Sequence, residues 1–129
     1  MHALIIENEE ELAAIFTRAL ERAGFKTEVI VDGQKAIEHL KHHTPQLVLL
    51  DLMLPGIGGA EILTYIREDA RLAKIKVIVA SANVLLAEPL RSKADLVLNK
   101  PVSFGQLRDL AVRLHNHLSE IPSYQSIDR

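Results

Sequence analysis

Four short runs contain no polar residue at all: Ala3 to Ile6, Leu47 to Leu50, Val77 to Ala80 and Leu96 to Leu98. A strand with one face in water alternates apolar and polar residues. A strand packed on both faces reads as an unbroken apolar run, because successive side chains point to opposite faces. Thr27 to Val31 supplies a fifth, more polar strand. Between the runs, apolar residues recur at spacings of three and four. Leu12, Ile15, Phe16, Ala19, Leu20 and Ala23 mark one helix, and Ala36, Ile37 and Leu40 a second. Ile62, Leu63 and Ile66 mark a third, and Leu107, Leu110, Ala111, Leu114 and Leu118 the last. Strands alternating with helices predict an α/β fold, a doubly wound parallel sheet covered on both faces.

Local signals agree with that frame. Gly24 suits the end of the first helix, and Ser103 with Gln106 three residues later resembles a capping box at the start of the last. Pro89 interrupts the crossover from Ser81 to Lys93, so a regular helix is not expected there. A chain of 129 residues is sized for one domain, expected over 1–119, with a polar tail at 120–129.

Charge and composition narrow the function. Fifteen basic and 17 acidic residues give a formal net charge of -2, which supplies no positive field for nucleic-acid phosphates or anionic lipid. No direct nucleic-acid contact and no membrane contact are expected. The absence of cysteine excludes disulfides and thiolate chemistry. No apolar run approaches the roughly 18 residues of a membrane span, and no signal segment is seen, so a cytoplasmic location is expected.

In an open parallel sheet the ligand site lies at the carboxyl ends of the strands. Here those ends carry Glu7-Asn8, Asp51, Ser81 and Asn99-Lys100-Pro101. A carboxylate directly after four buried apolar residues is costly unless a cation or hydrogen bonds compensate it. Lys100 and a divalent cation would do so, and oxygen donors favour a hard ion such as Mg2+. One carboxylate with a cation, a lysine and a hydroxyl also makes a workable phosphate-accepting site.

The ordered set "LIIENE", "LLDLMLPGIGG", "VIVASA" and "LNKP" resembles the receiver domain of bacterial two-component response regulators, over roughly Ala3 to Leu118. The resemblance implies a flavodoxin-like five-stranded sheet in the order 2-1-3-4-5. It implies a signalling switch rather than an enzyme, phosphorylated on Asp51 by a histidine kinase or phosphotransfer protein with Mg2+ and read by a downstream protein partner. Self-catalysed aspartyl phosphorylation and dephosphorylation come with that family, and homodimerisation is common in it. Ser81 and Lys100 match the phosphoryl-binding hydroxyl and lysine, with a cis peptide expected before Pro101. Glu7, Asn8, Asp51 and the backbone carbonyl of Met53 match the metal set.

Several positions depart from the family. Asn8 stands where a second acid is usual, which removes a charge from the metal site, and it also reads as a helix N-cap with Glu11 three residues on. Val97 replaces an aromatic switch residue and is stiff at χ1. The stretch between Ser81 and Lys100 is short, and Gly58 takes the place of a common acid. Asn8, Val97 and the short crossover leave open an alternative, a pseudo-receiver that binds partners without phosphorylation. His39, His42 and His43 have helical metal-patch spacing but read as a solvated face. A dehalogenase-type aspartyl phosphatase would need an acid at Met53, and a flavin phosphate would be repelled by the acids after the first strand.

Overall fold

Each apolar run forms a strand whose alternate residues enter two different cores. In the computed structural model, which describes residues 1–120, the elements are β1 (His2–Ile6), α1 (Glu10–Arg22), β2 (Lys26–Ile30), α2 (Gly33–Leu40), β3 (Leu47–Asp51) and α3 (Gly59–Glu68). They continue as β4 (Lys76–Ser81), α4 (Val84–Ala87), a 3-10 turn (Glu88–Leu90), β5 (Leu96–Asn99) and α5 (Phe104–Ser119). The strands are all parallel, in the order β2-β1-β3-β4-β5. Leu4, Ile6, Val48, Leu50, Val77 and Val79 pack under α2 and α3 with Ile62 and Ile66. Ala3, Ile5, Leu47, Leu49, Ile78 and Ala80 pack on the other face with Phe16, Leu20 and Leu107. Two packed faces explain why these strands carry polar residues only at their ends.

β2 is one of the two edge strands, with β5, and is largely exposed, which accounts for its mixed composition. The expected polar tail lies outside the described residues apart from Glu120. Among the described residues no helix is long and apolar enough to cross a membrane.

Helix ends follow the local chemistry. At the end of α1, Gly24 has φ +108°, Phe25 N–H bonds the Leu20 carbonyl at 3.1 Å and Gly24 N–H bonds that of Glu21 at 3.0 Å. This is a Schellman ending. Ser103 Oγ accepts from Gln106 N–H at 3.0 Å, the forward half of a capping box. Pro89 falls in the 3-10 turn, so the fourth crossover has only four α-helical residues. Asn83 caps them by accepting from Leu86 N–H at 3.2 Å.

Gly33, the first residue of α2, lies against the loop that follows β3. A Cβ there would stand 1.9 Å from the Ile57 carbonyl oxygen, an overlap that only backbone movement relieves. Gly33→Ala is expected to destabilise the fold by about 3 kcal/mol. The midpoint of urea unfolding reads this directly, and an unchanged midpoint would show that the loop yields freely.

Candidate functional site

Parallel register brings the polar strand ends to one rim. Ile6 pairs with Leu50, Asp51 with Ala80, and Ser81 with Asn99, so Glu7, Asp51, Ser81 and Lys100 end neighbouring strands. Backbone bonds fix the rim further: Glu7 N–H donates to the Ile30 carbonyl at 3.1 Å and Lys100 N–H to that of Ser81 at 2.9 Å. The Lys100–Pro101 peptide is cis. Among the described residues, Glu7, Asp51 and Ser81 are three of the four buried polar side chains, at 1%, 4% and 1% exposure.

Lys100 holds the two acids together. Its Nζ lies 2.9 Å from Glu7 Oε1 and 3.5 Å from Asp51 Oδ1. Burial pushes the Glu7 carboxyl above the usual carboxylate range and Asp51 adds to this, while Lys100 and the Glu9 N–H pull the other way. Burial alone would lower the Lys100 ammonium, but the Glu7 hydrogen bond and the charges of Glu7 and Asp51 outweigh it and raise its pKa. Lys100 is therefore a firmly held cation.

The expected metal set divides. Glu7 has both oxygens engaged, Oε1 by Lys100 and Oε2 by Glu9 N–H at 3.2 Å, so it serves as the partner of Lys100. Asp51 accepts from Met53 N–H at 3.1 Å through Oδ1, and the Lys100 contact falls on the same oxygen, leaving Oδ2 without a partner among the described residues. Asn8 is exposed, and its side chain makes no hydrogen bond among the described residues. It is not the helix cap: Glu9 occupies that position, with no side-chain cap bond. The Glu9 amide turns back to Glu7 Oε2, so α1 starts one residue later than an Asn8 cap requires. Asp51 Oδ2, the Asn8 amide oxygen and the Met53 carbonyl are oxygen donors, the kind a hard divalent cation takes. With Asn8 neutral, the rim holds only two carboxylates, and among the described residues no three His, Asp or Glu side chains converge as a metal-holding group.

Ser81 sits at the adjacent strand end, with Oγ donating to the Asn83 carbonyl at 3.2 Å and accepting from Asn83 N–H at 3.0 Å. Asn83 thus links the hydroxyl to the cap of α4. The sequence reading missed it, although Asn83 directly before "VLLA" is a helix-start signal. Val97 is half-buried against the core beside Val79. Away from the rim, the His39 and His43 rings stack at 4.1 Å, and His39 Nε2 lies 3.0 Å from Glu28 Oε2. Burial keeps the His39 pKa below the usual value, against the pull of Glu28.

Comparison with known proteins identifies the family of the whole fold. Residues 3–112 match the family described as the response regulator receiver domain. The DNA-binding response regulator MtrA of Mycobacterium tuberculosis is 35% identical over 98 residues, covering 76% of this chain and 43% of that protein. The sensory transduction protein RegX3 of Mycolicibacterium smegmatis is 33% identical over 104 residues, covering 81% and 46%. The chain therefore spans less than half the length of these relatives. The crystal structure of a signal receiver domain from Vibrio parahaemolyticus superposes with a TM-score of 0.78 at 28% identity, covering 92% of this chain and 93% of that one.

Proposed function

We propose that this chain, which belongs to the response regulator receiver domain family of two-component signalling, is a switch that accepts a phosphoryl group on Asp51. The observation that carries the reading is Asp51 itself: a buried carboxylate at the end of β3, with Oδ1 steadied by Lys100 and Met53 N–H and Oδ2 unengaged among the described residues. The free oxygen attacks the phosphorus of a phosphohistidine on a kinase or phosphotransfer protein. The P–N bond breaks, its electron pair stays on the imidazole nitrogen, and Asp51 becomes an acyl phosphate. Lys100 neutralises charge on the transferring oxygens, and the site contributes mainly positioning and electrostatics.

Asp51, Asn8 and the Met53 carbonyl would hold Mg2+, which when bound screens the negative charge of donor and acceptor. Glu7 acts through Lys100, fixing the ammonium between the two acids. The new phosphate brings roughly one to two negative charges, enough to draw the Ser81 hydroxyl from its bonds to Asn83. Because Asn83 also caps α4, that exchange loosens the helix and carries the signal to a downstream protein partner.

Intact mass after incubation with acetyl phosphate tests the reading. A Mg2+-dependent gain of one phosphoryl group is expected, with none in Asp51→Asn. No gain at any Mg2+ concentration would overturn it, as would an equal gain in the variant.

A further inference from the structure

Six of the 15 Lys and Arg residues lie within 67–93, although the whole chain has a net charge of -2. Several of them surround a groove of about 470 Å3 between the end of α3, the start of β4 and the loop before β5, lined by Arg67, Lys74, Lys76, Ser92, Lys93 and Asp95. Lys76 pairs with Leu47, the first residue of β3, so the groove opens at the end of the sheet opposite Asp51.

Arg67 builds its walls. Its Nε donates to the Lys93 carbonyl at 2.7 Å, its Nη1 to the carbonyls of Ala73 at 3.0 Å and Ile75 at 2.8 Å, and its Nη2 to Asp95 Oδ2 at 2.9 Å. Asp95 in turn accepts from Val77 N–H at 2.7 Å, and Lys76 stands 3.6 Å from its other oxygen. Three separate segments are thereby held in one arrangement before any ligand arrives. Four cations line the groove beside one acid. The Lys93 ammonium makes no ion pair or hydrogen bond among the described residues.

We propose that this groove docks an acidic segment of a partner protein, a second contact surface distinct from the phosphoacceptor rim. The guanidinium of Arg67 is spent on the walls, so no planar fork remains to grip a phosphate through two parallel bonds. The remaining cations are lysines, point charges spread along an open polar groove. They match carboxylates distributed along a chain better than one concentrated phosphate. Exposed pairs of this kind contribute little singly and are screened by salt, so the docking is weak, fast and additive along the segment. This surface goes beyond the phosphoacceptor reading and does not rest on it.

Amide NMR on the full chain at low salt, titrated with a hexaglutamate peptide, provides the test. Shifts are expected at Ala73 to Val77 and Arg91 to Asp95, fading at high salt, with affinity at least tenfold lower in a Lys74→Glu, Lys93→Glu double variant. Both side chains are exposed, so the variant's otherwise unchanged spectrum would certify its fold. Shifts spread evenly over the surface, or undiminished in the variant, would overturn the proposal. So would tighter binding of inorganic phosphate or of a short DNA duplex at the same residues.

Discussion

Lys100→Met is expected to lower the stability of the fold by about 3 kcal/mol at neutral pH, since it leaves two buried carboxylates without their cation. Methionine keeps the length of the stem, so the loss is one of charge and hydrogen bonding more than of packing. The side chains of Glu7, Asp51 and Lys100 are only 1%, 5% and 12% exposed, so water does little to replace the ammonium. The size of the loss depends on pH. The folded-state pKa of Glu7 is already raised, so the fold favours its protonated form. That contribution is full below the usual carboxylate range and is lost as pH rises through the folded value. Removing Lys100 removes two of the influences that hold Glu7 down, so its pKa climbs further. The deficit against the parent protein should therefore be large at pH 7.5 and smaller at pH 5. Urea unfolding of both proteins at the two pH values measures it, and an equal deficit at both would show that Glu7 does not depend on Lys100. On the alkaline side the parent should hold the full benefit of Lys100 below the usual lysine pKa and lose it as pH rises from there through the raised folded value.

Asn8→Asp is expected to tighten Mg2+ binding about tenfold, roughly 1.4 kcal/mol. Two unit charges about 4 Å apart are worth roughly 4 kcal/mol at an effective dielectric near 20, and the cost of removing water from both offsets much of that. The exposed side chain of Asn8 makes the exchange local, because among the described residues no cap or hydrogen bond is lost with the amide. Without metal the sign reverses: a third acid beside Glu7 and Asp51 should lower stability. Calorimetric titration with Mg2+ and thermal unfolding in a chelator read the two effects separately. Unchanged affinity would place Asn8 outside the metal's reach.

Both predictions turn on features that were unevenly legible in the sequence. The rim residues Glu7, Asp51, Ser81 and Lys100 could be found because each follows an apolar run, and parallel strands must end side by side. The cis peptide before Pro101, implied by the family resemblance, is present. The N-cap reading of Asn8 was wrong for a short-range reason. Capping patterns take the first polar residue before a helix, whereas here the Glu7 carboxylate captures the Glu9 amide and shifts the start. The Ser81–Asn83 link was missed although it spans only two residues, because a hydroxyl's choice among nearby partners is set by backbone angles that composition does not report.

By itself the sequence determined the strand set, the alternation with helices, the two-faced burial of β1, β3 and β4, and the interruption at Pro89. These follow from residue period and from proline's missing N–H, both properties of neighbours along the chain. Tertiary structure decided how the charges are shared. Lys100 sits closer to Glu7, 93 residues away, than to Asp51, and Arg67 ties the end of α3 to Lys93 and Asp95. An ion pair depends on distance and on the water excluded around it, and for residues so far apart in the chain only the packed sheet sets either.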